Sequence, residues 1–381
     1  MDFSWSDEQV ALRREIIAFA EEELSDDVVA RDRDGGFPHA LWQKCADFGL
    51  LGYPVPEVYG GGGRDVLTSV MAMEALGYGC RDNALPFSVN AQMWSVQPAL
   101  LRMGSEAQKK TYLPPMCAGE TIGCFGITEA ETGSDTYAMR ATAERRGDGY
   151  VINAHKNYIT NAPVADVAIV FASTAPERGR WGVSAFIVER GTEGFRTGPV
   201  SEKMGMRSTP MGDLILEDCY VAEAQRLGPE GAGVSLFATA MEAERGYICA
   251  SQVGRLERQL EEAVAFAKER ETFGHPIGKF QSVSNRIADM KVRLETARLM
   301  LYRTAWLEET GQPVSMAAAL AKLHLSECFV ASSLDTIRLH GARGYVTEFG
   351  VERDLRDGLG AVIYSGTSDI QRNLIARLLG L

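Results

Sequence analysis

The chain has 381 residues, 45% hydrophobic and 24% charged, enough for a sizeable core and more than one ordinary domain. Its formal net charge of −12 argues against a nucleic-acid backbone or an anionic membrane as partner. No stretch nears the roughly 18 uninterrupted apolar residues of a membrane-spanning helix, so no span is predicted.

Taken from the N-terminus, residues 1–120 read as helices. The acidic opening Met1-Asp2-Phe3-Ser4 lacks the basic and apolar regions of a signal peptide, so no leader is predicted. Ser6 with Gln9 is a capping box for a helix through Glu23. Phe37-Pro38 precedes a second helix, and the glycine run at 60–63 is a turn, because no Lys-Ser/Thr follows it. Residues 121–230 change character. The segments 150–154, 166–173, 182–188 and 213–219 are short, apolar and rich in Val, Ile and Phe, which predicts an antiparallel β domain. No Gly-x-Gly-x-x-Gly follows a strand and opens a helix, so a Rossmann unit is disfavoured. Over 231–381 helical periodicity returns. Val253, Leu256, Leu260, Val264 and Ala267 step by three or four, as do Ile287, Met290, Leu294, Ala297 and Leu301, and each stripe buries one helix face. The fold class is α+β in three domains. Seven cysteines without Cys-x-x-Cys suit a reducing cytoplasm, and five scattered histidines predict no metal site.

Four stretches carry the functional signal. Residues 123–135 read Gly-Cys-Phe-Gly-Ile-Thr-Glu-Ala-Glu-Thr-Gly-Ser-Asp. Hydroxyls and main-chain N–H groups crowd Thr128, Gly133 and Ser134, where they can serve a ring edge and an anionic pyrophosphate. Alone, the stretch is equally a surface turn. Further on come Lys156-Asn157-Tyr158-Ile159-Thr160-Asn161, then Arg270-Glu271-Thr272-Phe273-Gly274 with Phe280-Gln281, and last Ile363-Tyr364-Ser365-Gly366-Thr367-Ser368-Asp369-Ile370-Gln371. In this order and spacing the four resemble the signatures of the acyl-CoA dehydrogenase family, flavoenzymes that desaturate acyl thioesters. The resemblance implies an N-terminal helical domain, a middle antiparallel β domain and a C-terminal four-helix bundle, assembled as a homotetramer around FAD. It implies that Phe125, Ile127, Thr128, Gly133, Ser134, Tyr158, Thr160, Thr367 and Asp369 contact the FAD, with Tyr158 where an indole usually packs. It sets Arg270, Thr272, Phe273, Phe280 and Gln281, with Arg338, Gly341 and Ala342, against the FAD of a neighbouring subunit. Ala342 stands where a second glycine is usual, and Ala130 where a proline is.

The closing motif departs from the family at the reacting centre. Most members carry a glutamate at the place of Ser365, the base that removes the substrate's α-proton. An unactivated serine hydroxyl is too weak a base, and no motif supplies it with a partner. Met241-Glu242-Ala243-Glu244-Arg245 offers a replacement, since a minority branch of the family carries its base in a helical Glu-Arg pair. Glu244 is therefore the candidate base. The alternative is a solvated helix carboxylate. Glu242, two residues away, should face elsewhere and is the control. The resemblance further implies that Ser365 keeps an enolate-stabilising main-chain N–H, paired with the ribityl hydroxyl of FAD. Arg245 becomes the candidate for the pantetheine or phosphate end of the substrate.

Residues 323–333, 341–344 and 363–369 resemble a subfamily that oxidises L-proline tethered to a peptidyl carrier protein, giving the pyrrole-2-carboxyl thioester. Carrier proteins are usually acidic, and Arg140, Arg145 and Arg146 are the candidate basic patch. Phe237 and Tyr247 are candidates to shorten the acyl pocket, and equally good core residues. Two alternatives stay open: a short-chain or branched acyl-CoA dehydrogenase, and a flavin-dependent N-hydroxylase, which needs no such base. O2 or an electron-transfer flavoprotein is the implied electron acceptor.

Overall fold

In the computed structural model residues 4–381 are described, and the first three residues of the acidic opening lie outside them. Helix α1 (Asp7–Glu23) starts at the capping box: Gln9 N–H donates to Ser6 Oγ at 3.2 Å, and Ser6 N–H to Gln9 Oε1 at 3.1 Å. A short α2 (Val28–Asp34) intervenes, so the helix after Phe37-Pro38, α3 (His39–Asp47), is the third and not the second. Its signal was weak because α2 spans two turns and starts from Asp27 at φ 51° with no side-chain cap. Then come α4 (Val66–Gly79), α5 (Ala84–Ala91), a π-helical segment (Gln92–Val96), α6 (Gln97–Met103) and α7 (Glu106–Cys117).

The middle of the chain forms one eight-stranded sheet from β1 (Gly123–Gly126), β2 (Thr142–Arg146), β3 (Gly149–Thr160), β4 (Val167–Ser173), β5 (Val183–Glu189), β6 (Phe195–Thr197), β7 (Met211–Ala222) and β8 (Arg226–Leu227). The order is β6-β7-β3-β2-β4-β5-β8, with β1 paired to β4. Pairing is antiparallel except where β4 meets β1 and β2 in parallel. Residues of β4 and β5, such as Ile169, Phe171 and Ile187, share a core with Leu100 and Leu113 of the N-terminal helices and with Phe237 and Met241.

The last part is a bundle of α8 (Gly233–Tyr247), α9 (Ala250–Glu269), α10 (Gln281–Glu309) and α11 (Ser315–His340). A hairpin of β9 (Glu271–Thr272) and β10 (His275–Pro276) joins α9 to α10, and α12 (Ala342–Tyr345), α13 (Arg353–Ala361) and α14 (Ser368–Leu378) follow. The apolar stripes are core: Val253, Leu256, Met290, Leu294, Ala297 and Leu301 are buried. Among the described residues, no helix is long and apolar enough to cross a membrane.

The N-terminal helices and the bundle are locked at the α4–α9 crossing. A Cβ on Gly77 would fall 1.9 Å from Ser251 O, and one on Gly254 would fall 1.9 Å from Glu74 O. Backbone meets backbone there, so nothing can yield cheaply. Gly254→Ala is expected to cost about 1–3 kcal/mol of stability, as overpacking does. Thermal unfolding of the purified protein checks this, and an unchanged midpoint would show that the helices can part.

Candidate active site

A cleft of about 750 Å³ opens where the three parts meet. Its walls come from α5, β1 and the loop after it, the end of β3, α8, and the chain from 356 to 370. Two of the sequence motifs build one wall together. Lys156, fully buried on β3, donates from Nζ to Glu129 Oε1 at 2.8 Å and to Ile127 O at 3.3 Å. Glu129 also accepts the Arg140 and Ala141 N–H groups at 2.6 and 3.0 Å, and Asn157 N–H donates to Thr128 O at 2.8 Å. Lys156 thus pins the first motif to the sheet. Beyond it, a Cβ on Gly133 would meet no atom within 4 Å, so this loop faces open space. The β3–β7 register shifts between Lys156 and Ile159, and Tyr158 in that shift takes φ 60°. Its ring lines the cleft and is 63% exposed.

The opposite wall carries the reactive groups. After α13 the chain turns through Ser365 at φ 56° and Gly366 at φ 87°. A left-handed serine is strained, and such strain gathers at functional sites. Gln371 Nε2 holds the turn by donating to Ser365 O at 3.1 Å and Gly366 O at 3.0 Å, while Thr367 caps α14 by accepting Ile370 N–H at 3.2 Å. The turn delivers the Ser365 hydroxyl to Glu244 of α8, donating to Oε1 at 2.5 Å. The sequence reading found no partner for this hydroxyl; the structure gives it a carboxylate 121 positions away. No acceptor among the described residues takes the Ser365 main-chain N–H. Arg245 Nε lies 3.4 Å from Ser365 O. Glu242 faces away and accepts from the Ser315 hydroxyl, as a control should.

Burial pushes the Glu244 carboxyl above the usual carboxylate range, while the Ser365 hydroxyl, Arg245 and Lys322 pull it back. Tyr364 lies beside this pair. Its hydroxyl accepts from Gln252 Nε2 at 3.0 Å, and its ring packs 4.5 Å from that of Phe87. Burial keeps its phenol firmly protonated.

The cleft gathers Phe125, Ile127, Thr128, Gly133, Ser134, Tyr158, Thr160, Glu244, Arg245, Ser365 and Thr367 of the sequence-based candidates. Asp369 is outside it, exposed and paired with Arg372 at 2.9 Å. Arg270, Thr272, Phe273, Phe280, Gln281, Arg338, Gly341 and Ala342 are also outside, all but Phe280 exposed on the bundle surface. Stacking of Phe266 on His340, with centroids 4.2 Å apart, brings their two segments to one end of the bundle. Phe273 is 88% exposed there, at φ 50°. Phe237 lines the cleft, whereas Tyr247 is core, its hydroxyl donating to Glu308 at 2.5 Å. The proposed basic patch is largely neutralised, because Arg140 pairs with Glu131 and Arg145 pairs with Glu223 at 2.6 Å.

Sequence reasoning missed the strand-free wall Lys203–Met206 and what holds it. Met206, at φ 51°, donates its N–H to Asp357 Oδ1 at 2.5 Å, and Asn83 donates to Asp357 Oδ2 at 2.9 Å. Burial pushes Asp357 up to about 7. These residues are far apart in the chain, and no local pattern marks them. Lys322 was also missed, though a lysine within Ala319-Leu320-Ala321-Lys322-Leu323 interrupts an apolar run.

The arrangement can remove a proton α to a carbonyl whose oxygen meets the Ser365 N–H. A flavin fits beside it: Phe125, Ile127 and Ile159 offer apolar surface, Thr128, Ser134 and Thr160 offer hydroxyls, and the main chain at Gly133 is open to approach.

Comparison with known proteins agrees across the chain. Models of the acyl-CoA dehydrogenase N-terminal, middle and C-terminal domains match residues 6–120, 124–219 and 231–380. An L-prolyl-[peptidyl-carrier protein] dehydrogenase of Pseudomonas fluorescens is 41% identical, with 100% of both chains covered. The crystal structure of the prolyl acyl carrier protein oxidase AnaB superposes with a TM-score of 0.98 at 43% identity, covering 99% of this chain and 100% of that one. PigA with FAD and proline gives 0.97 at 41% identity, with both chains fully covered.

Proposed function

The chain belongs to the acyl-CoA dehydrogenase family, and on that premise we propose that it is an FAD-dependent dehydrogenase of L-prolyl-S-carrier protein, forming the pyrrolyl thioester. The observation that carries the reading is the Ser365–Glu244 hydrogen bond inside the cleft. It joins a helix-borne carboxylate to the turn where other members of the family hold their base. The substrate assignment rests on full-length similarity to proteins that act on carrier-bound proline.

Glu244 takes the proton from the prolyl α-carbon. The Ser365 hydroxyl occupies Oε1, which leaves Oε2 as the proton acceptor. As the bond breaks, negative charge moves to the thioester oxygen, and the Ser365 N–H donates to it. Excluding water raises the basicity of Glu244 and strengthens that hydrogen bond. Thr128, Ser134, Tyr158 and Thr160, which line the cleft, would hold the FAD, which would supply the hydride acceptor. Forming a pyrrole removes four hydrogens in two two-electron oxidations, and O2 or an electron-transfer flavoprotein takes the electrons. Arg245 lines the cleft and has no salt bridge among the described residues; burial raises the Tyr137 phenol, and the positive charges of Arg245, Arg180 and Arg377 pull it back. We assign Arg245 to the phosphate end of phosphopantetheine, which carrier proteins and coenzyme A share. The exposed segments around Phe273 and Gly341 suit a neighbouring subunit of a homotetramer, where they would complete its FAD site.

Intact-mass spectrometry of L-prolyl-S-carrier protein after incubation with the holoenzyme tests the reading. The carrier should lose four hydrogens. An unchanged carrier, together with turnover of a short acyl-CoA, would establish the acyl-CoA dehydrogenase alternative instead.

A further inference from the structure

Lys322 is a lysine with no exposed surface, on α11, the helix packed against α8 and its Glu244. Its Nζ has no hydrogen-bond partner among the described residues. Buried ammonium groups are costly and are normally paired, so an unpaired one calls for a reason. The nearest ring is that of Tyr364, its centroid 5.7 Å from Nζ, and Tyr364 precedes the serine that binds Glu244. Beyond burial, the charges that act on Lys322 are those of the Cys249 thiol, of Glu244 and Arg245 on α8, and of Glu327 on its own helix. Lys322 does not line the cleft, so it cannot touch the substrate.

We propose that Lys322 is a positioning residue for the reaction: a buried cation, placed behind Tyr364 and Ser365, that keeps Glu244 ionised and ready to accept the α-proton. The inference rests on Glu244 being the base. Burial raises the pKa of that carboxyl and so favours its protonated form, which cannot take a proton. The hydroxyl of Ser365 supplies one stabilising bond and Arg245 approaches from the cleft side. Lys322 supplies positive charge from the core side. Burial draws its own ionisation down to about 8, so the cation is present at neutral pH and below. Without it, Glu244 holds its proton to higher pH.

The test compares pH profiles of kcat/KM for holoenzyme carrying Lys322→Met, Lys322→Gln and Lys322→Arg, with thermal midpoints measured alongside. In the Met and Gln variants the acid limb should move to higher pH by about one unit, which is a tenfold loss below the limb and little loss above it. The Lys322→Arg limb should stay at the wild-type position. The Met midpoint should hold or rise, because an unpaired buried charge has been removed. A folded Met variant with an unmoved limb overturns the proposal. So does failure of both neutral variants to fold, which would make Lys322 a folding element. Activity surviving in Glu244→Gln would instead defeat the assignment of the base, so the two failures are distinguishable.

Discussion

Glu244→Gln is expected to lower kcat/KM for the thioester by about 10²–10⁴-fold, the range for loss of a positioned general base. The substitution is close to isosteric. A glutamine oxygen can still accept from the Ser365 hydroxyl, so the turn and its N–H stay where they are. What is lost is the proton-accepting Oε2. Flavin content and KM should therefore change little while kcat falls. Glu242→Gln, on the same helix but bonded to Ser315 outside the cleft, should leave the rate unaltered. Steady-state kinetics of the two variants check the pair of outcomes. A Glu244→Gln enzyme within a factor of ten of wild type would remove Glu244 from the chemistry.

Adding Ser365→Glu to Glu244→Gln should restore about 10²-fold of the lost rate. The serine hydroxyl already stands 2.5 Å from Glu244 Oε1, so a carboxylate grown from position 365 reaches the region the native base occupies. The backbone is prepared for it, because Ser365 is already a side-chain-bearing residue at φ 56°, with its carbonyl held by Gln371. In the wild-type background the same substitution should do harm. Two carboxylates at hydrogen-bond distance share one proton, which raises one pKa and silences a base at neutral pH. The single variant should thus be slower than wild type and the double faster than Glu244→Gln. A double variant no better than Glu244→Gln would mean that the two positions do not address the same substrate atom.

Much of the site was legible because its parts are short and local. The first motif, the Tyr158 segment and the closing turn each lie within thirteen residues, and Tyr158 and Ser365, which take positive φ, fall inside the last two. The apolar stripes of α9 and α10 were legible for the same reason, since a face one helix long repeats by three or four. Contacts between distant residues were not. Nothing local says that Lys156 reaches Glu129, that Met206 rests on Asp357, or that Ser365 meets Glu244. The seven-residue α2 escaped because it is too short to show a period, and β4 hides its parallel neighbours because buried strands read alike in either direction. The segments around Arg270 and Gly341 are a different case. Their residues lie on the surface of one chain, so what they contact is decided by assembly.

The most direct measurement is anaerobic mixing of the holoenzyme with L-prolyl-S-carrier protein, following flavin absorbance, in wild type and in Glu244→Gln. The account predicts rapid bleaching in wild type and none on that timescale in the variant. Bleaching by a short acyl-CoA but not by the prolyl thioester, or equal bleaching in both proteins, would contradict it.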